Sequence, residues 1–112
     1  MSKTRLGLEE NIEGVLCYLL EEITGILFLV LERENDFIKF HAMQSIVTFL
    51  TLRIVKVVTV HIPFIGGPIT LMITLIEIAL WILGICKAYQ GERYKFPIFG
   101  DIAEELLKKF NI

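Results

Sequence analysis

Three apolar runs, at about residues 12–31, 42–62 and 69–88, leave this chain little choice of fold. At about 1.5 Å of rise per residue, a helix of some 20 residues matches a hydrocarbon core of about 30 Å. A polar break, Glu32–His41, separates the first run from the second. Pro63-Phe64-Ile65-Gly66-Gly67-Pro68 separates the second from the third, and two prolines around a glycine pair cannot continue a helix. The composition agrees with a membrane setting. With 54% hydrophobic residues in 112 and a mean hydropathy of +0.65, the chain lacks the polar cover a small soluble domain needs. The expectation is one all-α domain, a membrane helical bundle of three transmembrane helices. A short amphipathic helix at about 101–110 follows them, with Ile102, Leu106, Leu107 and Phe110 on one side. It is too short to span and is expected to lie at the membrane interface, with packing on the loop as the rival.

The first run is the weakest span, because Glu21 and Glu22 interrupt its middle. Each acid costs roughly 2.5–3.5 kcal/mol at a helix centre, which some ten aliphatic residues only just offset. The run therefore spans with help from partners, or breaks into two half-helices. Basic residues set the orientation. Arg33, Lys39, Lys87, Arg93 and Lys95 flank the face shared by the 32–41 loop and the C-terminus, which is predicted to be cytoplasmic. With three spans the N-terminus lies outside; with a broken first run it moves to the cytoplasmic face. The apolar start does not read as a secretory signal, since the acids interrupt it and no small-residue cleavage site follows. The predicted location is the cell membrane, multi-pass.

Each run carries a polar or small-residue stripe at helical spacing. Gly14, Cys17, Glu21 and Gly25 align on the first. His41, Gln44, Ser45, Thr48 and Thr59 align on the second, and Thr70, Thr74, Glu77, Trp81 and Gly84 on the third. Small and hydroxyl residues allow helices to approach closely in lipid, so these faces are expected to meet. Glu21, Glu22, Arg53, Lys56 and Glu77 fall near the midplane, where unpaired charge is costly and pairing is expected. Three readings of this cluster stand: a neutralised structural clasp, a path for an ion, proton or substrate, or outward-facing charges of a sequence altered for solubility. Three acids against two bases leave one negative charge for a proton or cation.

Other chemistry finds little support. Cys17 and Cys86 are placed near opposite faces, so neither a disulfide nor a shared metal is expected. His41 and His61 lie about 30 Å apart along one helix. No nucleophile–base pair, phosphate loop or zinc-ligand spacing is present, and a net charge of −2 with no basic run gives no nucleic-acid footprint. No enzyme activity, cofactor or metal is expected.

Gly7-Leu8-Glu9-Glu10-Asn11-Ile12, Phe37-Ile38-Lys39-Phe40-His41-Ala42-Met43-Gln44-Ser45 and Lys87-Ala88-Tyr89-Gln90-Gly91-Glu92 resemble an uncharacterised family of small archaeal and bacterial membrane proteins. That family is grouped with the Tic-twenty-like proteins, after a chloroplast inner-envelope translocon component. The resemblance covers nearly the whole chain, and it implies three or four membrane helices. By distant analogy it implies a part in protein translocation or a channel, and it brings no catalytic or ligand residues. The charges Glu21, Glu22, Arg53 and Lys56 depart from that pattern, which puts a shared pore mechanism in doubt.

Together these features predict a structural or translocation-related membrane component acting as a homo-oligomer or with a protein partner. The alternative is a small ion or proton conductor using the midplane charges. Lys39, His41, Gln44, Ser45, Tyr89 and Gln90 form a candidate cytoplasmic contact surface, with His41 and Gln44 touching the tail.

Overall fold

A computed structural model describes residues 3–110, and among these all regular structure is helical. The helices are α1 (Glu10–Leu19), α2 (Glu22–Leu31), α3 (Asp36–Thr59), α4 (Gly66–Tyr89) and α5 (Phe99–Lys109). Only α3 and α4, 24 residues each, are long and apolar enough to cross a bilayer. The expected third span, 12–31, does not form. It breaks at Leu20-Glu21 into α1 and α2, ten residues each.

The two halves fold back on each other. Asn35 Nδ2 donates to Glu10 Oε2 at 2.8 Å, and the Arg5 and Leu6 amides donate to the Glu32 carboxylate at 3.1 and 3.3 Å. The start of α1 and the end of α2 therefore lie together, at the same end of the molecule as the Glu32–Asn35 loop. The break sits where the sequence places two adjacent acids, and folding there brings both to a tip that faces cations on α3. Glu21 itself takes φ 57°, ψ −128°. A non-glycine residue in that region costs on the order of 1–3 kcal/mol, so its surroundings must hold it there.

α3 starts six residues earlier than the expected span. Asn35 caps it by accepting from the Ile38 amide at 2.9 Å, a helix start of ordinary type. Asn11 lies inside α1 and donates to the Tyr89 carbonyl. A turn at residues 60–65 joins α3 to α4, with Thr59 and Thr70 Oγ1 3.1 Å apart beside it. From that narrow end α3 and α4 diverge. The α1–α2 hairpin fills the wide end, with α1 against both long helices and α2 against α3. α5 packs on α3 through Gly100 and Ala103.

The buried core therefore lies in one half of the molecule, around Cys17, Tyr18, Ile38, Ala42, Phe49, Ala88 and Phe96. The other half is α3 and α4 alone, with Val57, Val58, Leu71, Met72 and Leu75 exposed. Cys17, against the Ile38 carbonyl, sits in the same half as Cys86, not across the molecule from it. The folded-back hairpin is the reason. Both thiols are free.

Candidate functional site: a hairpin tip and a buried latch

The hairpin tip exposes the carbonyls that a helix end leaves unpaired. Side chains bond three carbonyls around the break. Trp81 Nε1 donates to the Tyr18 carbonyl at 2.8 Å, Thr24 Oγ1 to the Cys17 carbonyl at 3.3 Å, and Ser45 Oγ to the Glu21 carbonyl at 2.8 Å. The Thr24 hydroxyl also accepts from the Leu20 amide at 3.1 Å. In a low-dielectric interior an interrupted backbone survives only with such partners. Thr24 and Tyr18 carried no clear sequence signal, because an isolated threonine in an apolar run reads as one more small packing residue.

At this tip the five candidate charges meet. Arg53 grips Glu22 with two nitrogens, Nε to Oε2 and Nη2 to Oε1. A bidentate pair of this kind is the strongest form of ion pair. Arg53 Nη2 also lies 3.7 Å from Glu21 Oε1. Lys56 Nζ approaches Glu77 Oε1 at 2.7 Å, off the line of a hydrogen bond. The Glu21 and Glu77 side chains reach each other. Arg53 is thus matched by Glu22 and Lys56 by Glu77, and Glu21 is the acid in excess. The charges face one another, not outward, although the Arg53 side chain remains 54% exposed. A cleft of about 380 Å³ opens beside them, with Glu21, Arg53 and Glu77 as its polar wall and Leu20, Ile23, Ile78 and Trp81 as its apolar one.

The second set of candidate residues forms an internal latch. Tyr18 Oη lies 2.6 Å from His41 Nδ1, and Gln44 Nε2 donates to that hydroxyl at 2.9 Å. Gln44 Nε2 also donates to the Tyr94 carbonyl at 3.0 Å, while its Oε1 accepts from the Phe96 amide at 2.8 Å. His41 Nε2 lies 2.9 Å from the Glu92 carbonyl. The partners decide the protons: a carbonyl only accepts and an amide only donates. His41 therefore carries its proton on Nε2, and Tyr18 donates to Nδ1. The network is fully satisfied, which is what a buried polar cluster requires.

His41, Gln44 and Ser45 are fully buried, so they are not the contact surface expected of them. His41 and Gln44 hold the tail from inside while Ser45 bonds the hairpin tip, and the rest of that surface is scattered. Lys39 pairs with Asp36 at 3.5 Å, while Tyr89 and Gln90 are exposed. Gly84 completes the latch, since a Cβ there would come within 2.8 Å of the Tyr18 ring. Outside the latch, α5 is tied by ion pairs. Arg93 contacts Glu104, and Lys95 lies 3.1 Å from Asp101 and 3.3 Å from Glu104. The hydrogen bond from Arg93 holds the Glu104 carboxyl below its ordinary range, and that from Lys95 to Asp101 raises the ammonium. The Glu104 contribution is present above the ordinary carboxylate range and lost as pH falls through its depressed pKa. The Lys95 contribution is present below the ordinary lysine range and lost as pH rises through its raised one. Proteolysis within 93–110, followed against pH, should show protection across the intervening window and a decline at both ends. These pairs are exposed, so high salt should weaken them.

The magnetosome magnetite crystal formation protein family (MamF/MmsF) has a model that matches residues 9–103. A UPF0132 membrane protein of Methanocaldococcus jannaschii is 57% identical over 105 residues, 94% of this chain and 75% of its own length. A second UPF0132 membrane protein of that organism is 50% identical over 105 residues, 94% of each chain. One from Archaeoglobus fulgidus is 45% identical over 98 residues, 88% of this chain and 95% of its own. No solved structure matches. The chain belongs to the MamF/MmsF family, among relatives that are archaeal membrane proteins.

Proposed function

We propose that the chain is a two-span protein whose α1–α2 hairpin re-enters the bilayer from the cytoplasmic side and holds Glu21 there as a binding group for a proton or monovalent cation. The carrying observation is the charge count at the tip: Arg53 is matched by Glu22 and Lys56 by Glu77, leaving the Glu21 carboxyl in excess beside a cleft. Intramembrane acids are costly, and they mark ion and proton pathways in many membrane proteins. A broken helix at mid-membrane is a recurring way to build such a site, because half-helix ends direct their dipoles at the ligand. Orientation rests on the basic residues. Apart from Arg53 and Lys56, every lysine and arginine lies in the N-terminal lead, the Glu32–Lys39 region or the stretch from Lys87 onward, and the 60–65 turn has none.

Two spans and a half-depth hairpin enclose no pore, so conduction requires a second copy of the chain. The half-exposed Arg53 and the bare outer halves of α3 and α4 favour such an assembly. Purified protein in liposomes loaded with a pH-sensitive dye tests the reading. The parent should dissipate a proton or potassium gradient, and Glu21→Gln should slow it by at least about tenfold, as expected for loss of a binding group worth about 1.4 kcal/mol or more. Equal rates in the two proteins, or none above empty vesicles, would sink the idea.

The second reading is a structural or translocation-related component, as the resemblance to the Tic-twenty-like proteins implies. The same exposed outer halves favour it. It predicts that Glu77→Gln disrupts oligomers in native mass spectrometry while leaving ion flux unchanged.

A further inference from the structure

We infer that the cleft at the hairpin tip is a binding site for a lipophilic organic cation, an inference that builds on the proposed role of Glu21. Three observations converge. The first is charge: the cleft is lined by Glu21, Glu77 and Arg53, two acids and one base. The Arg53 guanidinium is held bidentately by Glu22, so its charge is already answered and an anionic guest finds no free partner. The cleft asks for one positive charge.

The second observation is the wall. Leu20 and Ile78 are 58% and 48% exposed on its rim. Trp81 lies deeper, its indole fixed by the bond from Nε1 to the Tyr18 carbonyl. An aromatic face beside a carboxylate attracts organic cations, whose charge is diffuse and weakly hydrated. At about 380 Å³ the cleft falls within the range of small-molecule pockets, which are apolar with a few polar groups that fix orientation.

The third is position. Glu77 lies 11 residues along α4 from Gly66 and 12 from Tyr89, about 17 Å from either end at 1.5 Å per residue. An opening at that depth faces acyl chains, not water. A guest entering from the side must partition into the bilayer, which a hydrated metal ion does not do and an aryl-substituted cation does.

Trp81 is the chain's one tryptophan, so its fluorescence reports on this cleft alone. Purified protein in lipid nanodiscs would be titrated with tetraphenylphosphonium and, separately, with tetraphenylborate, an anion of the same shape. The expected result is a saturable change with the cation, at least tenfold weaker in Glu21→Gln, and no saturable change with the anion. Ile78→Phe, which narrows the cleft and keeps every charge, should also weaken the cation by several-fold, so a misfolded Glu21→Gln protein leaves the test intact. Saturation by both ions alike, or unchanged cation binding in both variants, overturns the inference. The liposome experiment separates the two proposals. Glu21-dependent proton flux without phosphonium binding removes the organic-cation site and spares the proton or monovalent-cation role of Glu21. Glu21-dependent phosphonium binding without flux does the reverse.

Discussion

Replacing Gln44 with Leu should release the tail from the bundle. The substitution keeps the volume roughly constant, but it removes the acceptor for the Phe96 amide and the donor to the Tyr94 carbonyl. Phe96 is 1% exposed, so its N–H is left without water or partner. A buried group stranded this way costs about 1–3 kcal/mol. Amide exchange at Phe96 should accelerate by roughly a hundredfold, the factor that about 2.7 kcal/mol of local opening sets. Tyr18→Phe should act more weakly on the tail. It strands His41 Nδ1 but leaves the bonds from the Phe96 amide to Gln44 and from His41 to Glu92 in place. If Gln44→Leu leaves Phe96 exchange unchanged, the latch does not hold the tail.

Gly25→Leu should undo the hairpin. α2 crosses α3 so closely at Gly25 that a Cβ would lie 2.9 Å from the Ala42 carbonyl oxygen and 3.1 Å from the Ile46 side chain. The oxygen belongs to helical backbone and cannot swing aside, so α2 must withdraw. Withdrawal carries Glu22 away from Arg53 and breaks the bond from Ser45 to the Glu21 carbonyl. Overpacking costs about 1–3 kcal/mol, and separating a partly buried ion pair adds to it. The thermal midpoint, followed by circular dichroism in detergent, should fall by at least about 10 °C. Leu27→Val, at a position 50% exposed, should move it little. A Gly25→Leu protein that melts with the parent would mean that α2 does not seat against α3 this closely.

Hydrophobic pattern is local, and what depended on it was legible. The apolar runs marked α3 and α4, and Pro63 marked the reversal between them, although Gly66, Gly67 and Pro68, expected in the turn, form the first turn of α4. Residue type and spacing also grouped Glu21, Glu22, Arg53, Lys56 and Glu77, because depth along a helix follows from residue number alone. The same reasoning linked His41 and Gln44 to the tail. It did not show that these side chains lie inside, since helical spacing gives the direction of a side chain and not what covers it.

The first apolar run marks the boundary between the two kinds of information. Residues 12–31 have the length and composition of a span with two acids in it, and the sequence left two outcomes open: a strained crossing or a break. Only the tertiary structure chose the break at Glu21, because the decision belongs to groups far along the chain. Arg53 meets the acids, Trp81, Ser45 and Thr24 bond carbonyls around the break, and Gly25 lets α2 lie against α3. Composition made two membrane-length helices inevitable. The contacts that offset an interrupted backbone and three clustered acids made the third a hairpin.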